Sequence, residues 1–268
     1  MSNDPGQTAV TLVVGLAAIA LLMGGTLAYA VRTRRLSVVD TIWGLGFVVV
    51  AIASFLVSFG LDGPGVSHWL LAAMAIVWGT RLAVHIGRRN AGKPEDPRYV
   101  DLIERSGGEA DLAKIALAKV FGPQAVVMWI VSLPIMVGVN NARVVPVLGV
   151  LGVVVWAVGF VFEAVGDWQL KAFKADPSHQ GQVMDQGLWR YTRHPNYFGD
   201  ACVWWGIWLV AASSWAGVGT VIGPIAMTYF LAGKTGKPLT EKAMSESKPG
   251  YADYVRRTSG FLPWPPKI

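Results

Sequence analysis

Residues 201–233 read ACVWWGIWLVAASSWAGVGTVIGPIAMTYFLAG, 33 positions without Asp, Glu, Lys or Arg. A helix needs about 20 apolar residues to cross the roughly 30 Å hydrocarbon core of a bilayer, so this run is too long for one crossing and tight for two. Its middle, Ser213-Ser214-Trp215-Ala216-Gly217 through Gly223-Pro224, has the composition of a turn followed by a kink. Read as two helices, it fixes the count for the chain. The remaining charge-free runs, 5–31, 41–61, 63–80, 120–142 and 144–162, supply one span each, and the total is seven.

Composition supports this reading. Of 268 residues 53% are hydrophobic and 15% charged, against about 25% charged in soluble domains. The 31 glycines and 15 prolines are high for a soluble helical protein and usual for membrane helices. The single cysteine, Cys202, excludes a disulfide framework and a Cys-based zinc site. No His, Asp and Glu group has metal-ligand spacing, so no metal is expected, and neither a dinucleotide glycine fingerprint nor a phosphate-loop motif occurs. The expectation is an all-α integral membrane bundle, one domain over residues 1–268.

Positive charge orients it. With seven helices, 22 of the 23 Lys and Arg fall on one side, in the segments after spans 1, 3 and 5 and in the tail, and only Arg143 lies opposite. Such a bias marks the cytoplasmic face, which puts the N-terminus outside and the C-terminus inside. A six-helix reading would strand the tail's cations on the wrong side. The first apolar run lacks a basic start and is too long for a signal peptide, so it is expected to be a retained helix. Contact with anionic membrane lipids accounts for most of the net charge of +6, and nothing calls for nucleic acid.

Four polar sites interrupt the apolar pattern. Asp40 begins span 2, where it serves either function or its helix N-terminus. Arg81, His85 and Arg88 or Arg89 follow one helical stripe at the end of span 3, suited to phosphates or to snorkelling. The Pro-punctuated Lys93–Tyr99 has the composition of a surface loop, and residues 99–119, broken at Gly107-Gly108, that of an amphipathic stretch in the interface. Glu163, Asp167 and Lys171 or Lys174 share a face at the end of span 5. The densest site is Gly187-Leu-Trp-Arg190-Tyr191-Thr-Arg193-His194-Pro195-Asn196-Tyr197-Phe-Gly-Asp200. Pro195 suits a first helical turn, so free amides, Arg190, Arg193 and His194 form a candidate diphosphate or carboxylate site.

Tyr191-Thr-Arg-His-Pro-Asn-Tyr-Phe-Gly-Asp200 with Trp204-Trp-Gly206, Glu163-Ala-Val-Gly-Asp-Trp-Gln-Leu170 and the tail Gly250–Trp264 resembles the C-terminal domain of steroid 5-alpha-reductase-type membrane enzymes, above all their bacterial relatives. The resemblance covers most of the chain and is strongest over 150–268. It implies a multi-pass protein of the bacterial cytoplasmic membrane that uses NADPH to reduce a carbon–carbon double bond conjugated to a carbonyl. The substrate would be an apolar steroid, isoprenoid or lipid enone reached from the bilayer. Residue by residue, it implies cofactor contacts at Arg81, Asn90, Asp167, Lys174, Arg190, Tyr191, Arg193, Asn196, Tyr197 and Asp200, with His194 beside them and Tyr251, Tyr254 and Arg256 from the tail. Asp40 would grip the substrate carbonyl, with Arg81 near the chemistry, and Trp78 stands where the steroid enzymes carry a tyrosine. Arg-His-Pro-x-Tyr and the Tyr-x-x-Tyr tail also resemble isoprenylcysteine carboxyl methyltransferases, which bind S-adenosylmethionine; Glu241 would be the matching acid.

Overall fold

The computed structural model describes residues 4–62, 65–108, 111–141 and 143–267. In chain order its helices are α1 (Pro5–Thr33), α2 (Val38–Asp62), α3 (Val66–Asn90), α4 (Pro97–Glu104), α5 (Leu112–Gly138), α6 (Pro146–Ala175), α7 (Pro195–Ala211), α8 (Trp215–Ser247) and α9 (Tyr251–Arg257). Among the described residues there is no strand, only an isolated parallel bridge between Thr192 and Ser259. The protein is therefore all-helical, as expected. Among the described residues six helices, α1, α2, α3, α5, α6 and α8, are long and apolar enough to cross a membrane. Their exposed faces are apolar too: on α6, Val147, Val150, Leu151, Val154, Val158 and Val161 all face outward, as lipid-facing residues do and as a soluble protein rarely allows.

The run that decided the count does break where its composition suggested. The chain turns at 212–214, and Ser214 caps the next helix by accepting from the Gly217 amide at 3.1 Å. The half before the turn differs from expectation. Helix α7 starts at Pro195, inside the polar motif, and has 17 residues, about 25 Å of rise against a core of roughly 30 Å. Among the described residues six helices, not seven, thus reach spanning length. A second difference lies in residues 99–119. Gly107 and Gly108, at φ +110° and +81°, end the stretch after α4, but from Leu112 the chain is already the first turns of α5. Lys114 and Lys119 ride on that helix because both stay exposed, and Lys119 Nζ donates to Ser106 Oγ at 2.9 Å.

The chain forms two compact units, one running to Leu148 together with Val210–Gly223, the other comprising Gly149–Leu209 and the chain from Pro224. In the first, α2 and α3 touch backbone to backbone: a Cβ on Gly44 would lie 2.4 Å from the Gly79 carbonyl oxygen, and one on Gly79 would lie 2.5 Å from that of Gly44. Small residues permit this approach in a bilayer, where helix association rests on close packing. Trp78 is fully buried there, its ring 5.6 Å from Phe47. In the second unit α6 and α7 meet in the same way. A Cβ on Gly199 would fall 2.5 Å from both the Gly159 oxygen and the Glu163 nitrogen, and one on Gly206 would fall 2.6 Å from the Gly152 oxygen. This contact sets the polar start of α7 against the polar end of α6.

Candidate functional site

The first unit holds Asp40, and its surroundings come from the loop Lys93–Tyr99. The Glu95 carboxylate binds the two residues just ahead of α2, accepting from Leu36 N and, at 3.1 Å, from Ser37 N. Asp40, the third residue of α2, turns its carboxylate to other partners. One oxygen of its half-buried carboxylate accepts from the Tyr99 hydroxyl at 2.8 Å and the other from Arg98 Nη2 at 3.1 Å. Asp96 caps α4 through the Arg98 amide and holds the same guanidinium at 3.0 and 2.8 Å. The Arg98 hydrogen bond keeps the Asp96 carboxyl below its ordinary range, while burial, and then the charge of Asp40, push the Tyr99 hydroxyl above its own. The stretch with a plain surface composition thus supplies what Asp40 binds. Arg98 and Tyr99 carried no motif; their only signal was the charge-dense, Pro-punctuated stretch that they end.

Arg81 and His85 sit half-buried a turn apart on α3, whereas Arg88 and Arg89 are exposed. Asn90 ends that helix, its Oδ1 accepting from Arg89 Nε at 3.4 Å. Trp78 belongs to the core.

The second unit gathers the rest around the start of α7. Gly166 has no side chain, and a Cβ there would crowd Pro195 at 3.1 Å; this lets Asn196 Nδ2 donate to Asp167 Oδ1 at 3.1 Å. Glu163, Asp167 and Asp200 are buried, and Asn196 and Tyr197 half-buried. Lys171 and Lys174 lie on the exposed side of α6, so only the acidic part of that polar face turns inward.

Arg193 and His194 are bound into the protein instead. Arg193 is 8% exposed and donates from Nε at 2.8 Å and Nη2 at 2.7 Å to Glu241, and from Nη1 to the carbonyls of Thr258 and Val255. His194 Nε2 lies 3.3 Å from the same Glu241 oxygen, and its ring stacks on Tyr197 at 5.2 Å. Burial pushes the His194 imidazole down to about 4, against the opposing pull of Glu241. The Tyr197 hydroxyl is 3.2 Å from Thr240 Oγ1. Tyr254, buried and with its ionisation pushed up by that burial, donates to the Trp189 carbonyl at 2.5 Å. Trp189 Nε1 in turn donates to the Gly166 carbonyl at 3.0 Å. Tyr251 is buried beside Tyr254, ring centroids 5.9 Å apart.

Arg190, Tyr191 and Arg256 stand at the surface, Arg256 paired with Asp253. Arg190 lines an open cleft of about 530 Å³ with Asp185, Gly187, Arg257 and Lys267. Among the described residues no three of His, Cys, Asp and Glu group as metal ligands would.

Residues 26–258 match the family described as Protein of unknown function (DUF1295). No curated protein and no solved structure matches the chain.

Proposed function

The chain belongs to the DUF1295 family, and we propose that it is a membrane reductase, using NADPH to reduce a carbon–carbon double bond conjugated to a carbonyl in an apolar substrate. The observation that carries the reading is the Asp167–Asn196 pair, half-sealed at the junction of two apolar helices beside Tyr197. Its donor set fits a dinucleotide. A carboxylate and an amide at hydrogen-bonding distance suit ribose hydroxyls and a carboxamide, and Lys174 and Arg256 are exposed cations suited to phosphates. Arg193 and His194 have a different role: their donors are taken by Glu241 and tail carbonyls, so they position the loop that presents Asn196 and Tyr197.

NADPH, when bound, supplies the hydride. The protein's task is to orient the reactants and stabilise the enolate oxygen. Within the first unit we assign a substrate carbonyl oxygen to the Tyr99 hydroxyl, whose proton, now given to Asp40, can be given to that oxygen, with Asp40 as the group that positions the phenol. Arg98 balances the Asp40 charge while the phenol turns. Steroid, isoprenoid and lipid enones all fit a site reached from the bilayer.

In the same reading α7 is the sixth of seven spans, the N-terminus lies outside and the C-terminus in the cytoplasm of a bacterial inner membrane. A cysteine at position 143, in a Cys202→Ala background, should then be labelled from outside in sealed cells.

The methyltransferase reading stays second because Glu241, its matching acid, is gathered with Arg193 and His194. A thermal-shift panel on detergent-solubilised protein decides between them. NADPH should raise the melting temperature and S-adenosylmethionine should not; stabilisation by S-adenosylmethionine alone would replace the reductase reading, and stabilisation by neither would remove both.

A further inference from the structure

We propose that the cleft under the C-terminal tail of the second unit binds the phosphate of an anionic phospholipid headgroup. Its lining carries Arg190, Arg257 and Lys267 against a single carboxylate, Asp185, which pairs with Arg257 at 2.6 Å. Among the described residues the side chains of Arg190 and Lys267 have no protein partner. An adjoining cleft of about 340 Å³ shares Arg257, Thr258 and Lys267 and adds Arg256 and Trp264. Asp253 pairs with Arg256 as Asp185 does with Arg257, so in the trough that the two clefts form together Arg190 and Lys267 carry the charge left unneutralised.

The trough is built rather than chance surface. Backbone hydrogen bonds strap the tail across the 187–193 loop: Arg193 N to Ser259 O at 2.9 Å, Trp264 N to Tyr191 O at 2.9 Å and Lys267 N to Arg257 O at 2.8 Å. Thr192 Oγ1 adds a bond to the Phe261 carbonyl at 2.9 Å. Both walls are therefore fixed before any ligand arrives.

Its depth selects a lipid. The charge-free run of α6 ends at residue 162, while Trp189, which bears the loop, is bonded to Gly166. Four residues of helix rise about 6 Å, and the headgroup layer occupies the first 5–7 Å or so outside the hydrocarbon. The loop thus lies at phosphate level. On the strap itself Leu262 is 64% and Trp264 70% exposed, an apolar and an aromatic residue of the kind that seats in the interface. A soluble phosphate would need neither the depth nor these side chains.

The test uses the full chain in dodecyl maltoside, titrated with dioleoylphosphatidylglycerol and, separately, dioleoylphosphatidylcholine. Each cation near an anionic headgroup is worth about fivefold in affinity, so Arg190→Ala/Lys267→Ala should bind phosphatidylglycerol roughly 30-fold more weakly. Phosphatidylcholine binding and melting temperature should stay unchanged, since neither side chain has a partner to lose. Equal phosphatidylglycerol affinity in both proteins would overturn the proposal. Displacement of the lipid by inorganic phosphate or NADPH at its own binding concentration would also overturn it, and would give the trough to a free phosphoanion.

Discussion

Arg193 distinguishes a ligand-binding cation from a structural one, and Glu241→Ala tests which it is. Removing the Glu241 carboxylate leaves a guanidinium that is 8% exposed, with neutral partners such as the Thr258 and Val255 carbonyls in place of a countercharge. Breaking a fully buried pair costs about 3–5 kcal/mol. Glu241 is itself 22% exposed, so solvent screens part of the loss, and about 2 kcal/mol is the appropriate expectation. At about 2–4 °C per kcal/mol for a chain of this size, the melting temperature should drop by roughly 4–8 °C. The effect should depend on Arg193. In a double-mutant cycle with Arg193→Met, the Glu241→Ala cost should largely vanish, because no buried charge remains to be orphaned. The assay is intrinsic tryptophan fluorescence on thermal unfolding in detergent, with and without NADPH. A melting temperature within a degree of wild type for Glu241→Ala, or costs that simply add in the double variant, would refute the clamp and return Arg193 to the cofactor.

Three further outcomes are expected. His194 is held neutral by burial, with its folded pKa about 4 against 6.5 unfolded; the unfolded chain therefore binds the extra proton first, and stability present above about pH 6.5 should be lost as pH falls toward 4, by up to about 3 kcal/mol. Melting curves from pH 7.5 to 4.5 read this slope, and a His194→Asn variant with the same slope would assign it to other groups. Tyr99→Phe should cut turnover by about 10²–10³, the cost of losing one preorganised oxyanion donor, and Asp40→Leu should lower it too by leaving the phenol without the acceptor that positions it, with Asp40→Asn, which keeps an acceptor oxygen, retaining more; losses that merely track melting temperature would make the pair structural. Gly199→Val should unfold the second unit's helix pair, since the added carbons meet backbone at 2.5 Å, whereas Gly25→Val, with open space around it, should be tolerated; equal expression and melting temperatures would mean the two helices can part without cost.

What the sequence disclosed and what it withheld divide along a physical line. Apolar run length is a one-dimensional quantity, so five of the spans and the turn after residue 211 were legible from charge-free stretches alone. Helix α7 was less so, because its first turn is polar and its boundary is set by Pro195 and by the backbone contact at Gly199 rather than by hydropathy. The polar motif at 187–200 was visible as a concentration of functional groups, but residue type does not say where a donor is used. Arg193 and Asn196 stand three positions apart; one spends its donors on Glu241 and the tail, the other meets Asp167. Asp40 shows the same limit from the other side. Its partners Arg98 and Tyr99 lie 58 and 59 residues away in a loop whose composition is ordinary, and they reach it because Glu95 docks that loop on the start of α2. Neither span length nor helical periodicity encodes such a return, so the acid that a membrane sequence exposes first acquires its chemistry from the part of the chain that says least.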